Sequence, residues 1–80
     1  MTAKAFTDQL ETLAQESEDL MNQGRQQWSV DSIVYRSALD YAHKIAITRH
    51  HAAFFRPNAY ARILNECQIW LKMQRRTLAD

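Results

Sequence analysis

This 80-residue chain contains three histidines and one cysteine, the residue types that most often ligate metal ions or act in nucleophilic catalysis. His43, His50 and His51 could ligate a metal ion. Two histidines that share a metal on one helix stand four residues apart. His43 and His50 are seven residues apart, about 10.5 Å along a helix axis, and His50 and His51 are adjacent and point in different directions. The spacing predicts that the three histidines lie on the surface and form no metal site.

Cys67 falls on an apolar row of a helical segment, which indicates a buried structural thiol. A nucleophilic cysteine would need one of the three imidazoles beside it and a third group to orient that imidazole. Asp40 is the only acid placed near enough in the sequence for that role. The lone Gly24 cannot build a phosphate-binding loop. We therefore expect neither enzymatic activity nor a cofactor.

The composition predicts that these residues are positioned by helices. With 46% hydrophobic and 24% charged residues, the chain can bury a core and is not disordered. One glycine and one proline are too few for the turns that a sheet requires. We predict an all-α fold and a single helical domain over residues 1–80, because domains usually exceed 50 residues.

Three segments place apolar residues at alternating steps of three and four, the spacing of amphipathic helices. They cover about residues 2–22, 29–55 and 58–76. In the first segment Ser17 occupies one place of the apolar row. Short connections between the three segments predict an antiparallel bundle, or a long helical hairpin with a third helix packed on it.

The ends of the helices are predicted from capping residues in the sequence. Thr2 and Ser29 are expected as N-caps, and Gly24 as the C-cap that begins a loop reaching Trp28. Pro57 should end the second helix, after which Asn58 caps the third. Residues 77–80 are expected to fray.

The length of the middle helix predicts self-association. A helix over residues 29–55 would be about 40 Å long, whereas a compact chain of this size is roughly 30 Å across. Another copy of the chain would then cover the protruding part, and a homodimer is the first expectation. Small domains also bury only about 60% of their unfolded surface, which favours association.

The charges divide into two halves, although the net charge is only +1. Residues 1–23 contain five acidic residues and one lysine, and residues 24–80 contain nine basic and four acidic residues. The acidic first helix could lie against the basic ones, or a basic surface could contact nucleic acid or an acidic protein. The isoelectric point near 7.9 is below the value of about 9 that is typical of nucleic-acid-binding domains.

A few apolar residues fall outside the core rows and among basic residues, the composition of interface hot spots. They predict a partner-binding surface on the end of the second helix and on the third, made of Arg49, His50, Phe54, Arg56, Arg62, Ile69, Met73 and Arg76. The predicted function is a small non-enzymatic protein-interaction module, acting as a regulator, inhibitor or adaptor. The alternative is a nucleic-acid-binding protein that contacts phosphates through Arg49, Arg56, Arg62, Arg75 and Arg76.

The first thirteen residues contain Lys4, Asp8 and Glu11 and no unbroken apolar stretch, unlike a signal peptide. No segment has about 18 consecutive apolar residues, the length that crosses a membrane. These observations predict a cytoplasmic protein without membrane contact. No motif has a spacing specific enough to indicate a family.

Overall fold

The computed structural model describes residues 1–79 and, within them, contains helices and no strand. Three α-helices are present, α1 (Ala3–Gln27), α2 (Ile33–His50) and α3 (Tyr60–Ala79). Two single 3-10 turns, Ala52–Phe54 and Pro57–Ala59, lie between α2 and α3. The predicted all-α fold is confirmed.

Helix α1 begins where the sequence predicts and ends later. The Thr2 hydroxyl caps it by accepting a hydrogen bond from the Ala5 amide at 3.1 Å. Gly24 is not a C-cap, because the helix continues through it to Gln27. A Cβ atom on Gly24 would lie 3.0 Å from the Leu78 side chain. The glycine therefore leaves room for the Leu78 side chain against α1, and the predicted loop over Gly24 to Trp28 is wrong.

Helix α2 starts four residues later and ends five residues earlier than predicted. Its N-cap is Ser32, whose hydroxyl accepts from the Tyr35 amide at 3.0 Å, whereas the Ser29 hydroxyl accepts from Asp31 in the preceding turn. At the other end the backbone leaves the helix at His51, six residues before Pro57.

Because α2 is shorter than predicted, its length no longer argues for self-association. Its 18 residues give a helix of about 27 Å, which fits within the 39 Å long axis of the bundle. Self-association stays a prediction, and its remaining support is the exposed apolar side chains described below.

Helix α3 is longer than predicted at its C-terminal end. Asn58 lies inside a 3-10 turn and does not cap α3, which begins at Tyr60. Residues 77–79 are helical and do not fray, because Leu78 is buried and its carbonyl accepts from the Trp28 indole at 3.1 Å. The predicted fraying of Asp80 lies outside the described residues.

The helices form an up-down-up bundle of 39 × 16 × 16 Å. Helices α1 and α3 are parallel, since Phe6 stacks on Tyr60 near one end and Gly24 meets Leu78 near the other. Helix α2 runs in the opposite direction, so the end of α2 lies beside the first half of α1. Of the two predicted arrangements, the bundle with α2 antiparallel to its neighbours is observed.

The core has two apolar clusters. The larger includes the Phe6 ring, which stacks on Tyr60 at 4.1 Å between centroids and meets Phe55 edge-on at 6.2 Å. The smaller is formed by Met21, Tyr35, Ala38 and Leu78.

A buried polar pair lies between the two clusters. The Ser17 hydroxyl donates to the Gln74 side-chain oxygen at 2.8 Å, and the Gln74 amide donates to the Ser17 carbonyl at 2.9 Å. Both side chains are almost fully buried. Sliding α1 along α3 would leave the amide of Gln74 without partners in the core, so this pair sets the register of the two helices.

We predict that Gln74→Ala lowers the free energy of unfolding by about 2 to 4 kcal/mol, because it removes two buried hydrogen bonds and leaves a cavity. Urea denaturation measures the loss. The control is Gln68→Ala on the exposed side of the same helix, which should change stability by less than about 0.5 kcal/mol. Equal effects of the two substitutions would contradict the role of the pair.

Candidate functional site

The three histidines lie on the surface, as predicted. His43 and His50 are exposed on α2, and His51 is the exposed residue that ends this helix. The rings of His50 and His51 are 5.3 Å apart between centroids and inclined by 72°. Within residues 1–79, no group of three or more histidine, cysteine, aspartate or glutamate residues is placed to hold a metal ion.

Cys67 is fully buried in the larger apolar cluster, which confirms its predicted burial. Burial raises the pKa of its thiol from 9.0 to about 11, and the Thr48 side chain opposes part of that rise. The thiol therefore stays protonated at neutral pH, whereas a cysteine nucleophile reacts as the thiolate.

Four of the eight residues of the predicted interaction surface lie on α3. Arg62, Ile69, Met73 and Arg76 follow one another on α3 at steps of seven, four and three, so they share one face. Phe54 is 81% exposed and ends the 3-10 turn that follows α2, and Arg56 is in the extended link between the two 3-10 turns. We call these six residues the α3 surface.

The other two residues, Arg49 and His50, lie at the end of α2. They line a groove between α1 and α2, to which no residue of α3 contributes. In addition, Arg49 approaches Glu11 of α1 to 3.5 Å.

Ion pairs connect the acidic first helix to the two basic helices, in agreement with the first of the two charge interpretations. Arg49 of α2 pairs with Glu11, and Arg75 of α3 pairs with Glu16 at 3.0 Å. A third pair, between Arg62 and Glu66 at 3.6 Å, lies within α3. Such exposed pairs add little stability. They nevertheless place a glutamate beside three of the five arginines that the nucleic-acid alternative assigns to phosphate contacts.

The groove between α1 and α2 has a volume of about 400 Å³. Its apolar lining includes Ala14 and Met21 from α1 and Leu39, Ala42 and Ala46 from α2. The sequence pattern places these residues beside the main apolar rows of their helices. Spacing alone does not predict that they line a groove between two helices.

A scan against protein-family models, and searches of curated proteins and of solved structures, found no match to this chain. In the part of the chain that the structure describes, none of the helices combines the length and the apolar character needed to span a bilayer.

We predict that Cys67 makes stability fall as the pH rises from about 9 to 11, because the folded chain holds the thiol proton more tightly than the unfolded chain does. Cys67→Ala should remove this part of the pH dependence and should cost about 1 to 2 kcal/mol at neutral pH. Denaturation curves of both proteins across this pH range measure it. Parallel pH profiles would contradict the assignment.

Proposed function

We propose that this protein is a small non-enzymatic interaction module that binds a partner protein through the α3 surface. One observation carries the proposal. Phe54 and Ile69 leave 81% and 51% of their surface exposed, although the core of the bundle is filled by other residues. Exposed apolar residues that are interspersed with arginines are typical of binding hot spots.

The composition of the α3 surface supports a protein partner. Ile69 and the half-buried Met73 provide apolar contact area at its centre, and Arg62 and Arg76 stand on either side along the helix. Arginine at the border of an apolar centre provides hydrogen bonds and steers acidic partners. The partner should therefore present apolar residues bordered by carboxylates.

The rigidity of this surface suggests how the module would affect its partner. Most of it lies on a continuous helix whose other face is packed in the core, and Pro57 restricts the link before it. A preformed surface loses little conformational entropy on binding. Such a module would act by occluding or scaffolding its partner, as a regulator, an inhibitor or an adaptor does.

We expect Ile69→Asp and Phe54→Asp each to weaken partner binding by at least about tenfold, or 1.4 kcal/mol, while the chain stays folded. Affinity capture from the native cell with the unmodified chain identifies the partner, and titration calorimetry then compares the variants. Ile33→Asp is the matched control, since Ile33 is 84% exposed but lies outside the α3 surface.

Two outcomes would contradict this proposal. If both aspartate variants unfold the chain, these side chains support the fold. If they bind the partner as the unmodified chain does, another surface is used, and the acidic residues Glu16, Glu18 and Asp19 of α1 are the next to examine. Retention on nucleic acid that falls steeply with salt would favour the nucleic-acid alternative.

The charged border of the α3 surface should act mainly on the rate of association. We expect the double substitution Arg62→Ala and Arg76→Ala to slow association and to reduce its dependence on salt, with a smaller effect on dissociation. Stopped-flow or surface-based kinetics at several ionic strengths measure both rates. A change confined to dissociation would contradict steering by these arginines.

Self-association is a further part of the proposal. The exposed Phe54 and Ile69 could pair with a second copy when the partner is absent. We expect sedimentation equilibrium to show concentration-dependent association at micromolar protein. A folded monomer across that range would contradict it.

A further inference from the structure

We propose that two copies of this chain pair through α2, with the two α2 helices antiparallel and each lying against α1 of the other copy. A two-fold axis near His43 relates the copies. The inference rests on the self-association in the proposed function, and it places the contact on α2 instead of on Phe54 and Ile69. The α3 surface of each copy would then stay free for a partner protein.

Helix α2 has apolar side chains on more sides than its two neighbours cover. Its buried residues belong to the two core clusters between α1 and α3. On its outer side Ile47 is 58% exposed. Along the groove Ala46 is exposed, and Leu39 and Ala42 are only half-buried. A helix that is apolar on all sides is normally buried, so α2 lacks a neighbour on its outer and groove sides.

The shape of this part of α2 is complementary to itself. Leu39, His43 and Ile47 follow one another at steps of four, which makes them one ridge along the helix. Antiparallel pairing about His43 sets Ile47 of each copy level with Leu39 of the other. The small side chains of Ala42 and Ala46 line the groove beside this ridge and leave room for the second helix. A two-fold interface requires such a patch, because each copy uses the same residues.

Contacts within one copy show which parts of α1 and α2 lie side by side. Glu11 pairs with Arg49 at 3.5 Å, and Arg25 Nε donates to the Tyr35 hydroxyl at 2.9 Å. Glu18 stands halfway between the two α1 residues. It therefore lies level with position 42, which is halfway between the two α2 residues.

This level brings opposite charges together across the proposed interface. In an antiparallel copy centred on His43, Lys44 lies level with position 42, so Glu18 of each copy faces Lys44 of the other. Both residues are exposed, and within residues 1–79 neither belongs to an ion pair. The Lys44 ammonium lies 5.8 Å from the centre of the Trp70 ring. Two such cross pairs favour this register of the dimer over others.

Exchange of the two charges tests the register. Glu18→Lys and Lys44→Glu should each raise the dissociation constant of the dimer at least about threefold at low salt, because like charges then face each other. The chain that carries both substitutions should return to within about twofold of the unmodified chain. Asp19→Lys, at an exposed neighbour with the same change of charge, is the control and should have a smaller effect. Sedimentation equilibrium measures the constants, and failure of the double variant to recover would overturn the register.

Substitutions on the two apolar surfaces separate this inference from the proposed function. Ile47→Asp should weaken the dimer at least about tenfold and leave helicity unchanged, because Ile47 is exposed in the single copy. Phe54→Asp and Ile69→Asp should leave the dimer intact and weaken only partner binding. The opposite pattern would place the second copy on the α3 surface and overturn the inference, while the proposed function would stand.

Cross-linking locates the axis without destabilising the interface. His43→Cys places one exposed thiol of each copy at the axis, so a short bismaleimide should link two copies. Asn65→Cys, at an exposed position of α3, is the control and should link poorly. The buried Cys67 should not react in either variant. Equal linking of the two variants, or an unmodified chain that stays monomeric up to about 1 mM, would overturn the proposal.

Discussion

The hydrogen-bonded pair of Ser17 and Gln74 determines how α1 lies along α3, and the other contacts of the bundle follow from that register. With these two side chains facing one another, the Phe6 ring reaches Tyr60 near one end of the bundle. At the other end Gly24 meets Leu78. Buried polar groups contribute little net stability, but they are costly to leave without partners. A shifted register would therefore lose this pair together with the apolar contacts on both sides.

The same register decides which side chains face outward. Because α1 and α3 are parallel and closely packed, α3 buries the face that contains Tyr60, Cys67, Gln74 and Leu78. Its opposite face then presents Ile69 among arginines, and this is the α3 surface. Helix α2 meets α1 on another side, where small residues in the facing rows leave the groove open. The bundle thus has two surfaces that differ in shape, one a convex helix face and the other a trough.

Electrostatics links these surfaces to the two halves of the sequence. Two glutamates of α1 pair with arginines of α2 and α3, so part of the positive charge is balanced within the bundle. The α3 surface places Arg56 and Arg76 in the same segment as the exposed Phe54 and Ile69. This surface should therefore favour a partner that combines apolar residues with carboxylates.

The local sequence determined the helical nature of the chain and several details within it. Periodic rows predicted three helices, Thr2 predicted the first N-cap, and the apolar row of α3 predicted the burial of Cys67. These features depend on residues within a few turns of each other, which is why spacing reveals them.

Other features were decided only by tertiary contacts between residues far apart in the chain. Gly24 resembles a C-cap in the sequence, yet it lies inside α1, where the Leu78 side chain packs on it. From its residue type alone, Gln74 would be placed on the surface, but it is buried because it bonds to Ser17 of α1. Leu78 lies in the segment expected to fray, but the Trp28 indole donates to its carbonyl. The groove between α1 and α2 depends likewise on how the helices pack, since periodicity tells which face of a helix is apolar but not which neighbouring helix covers it.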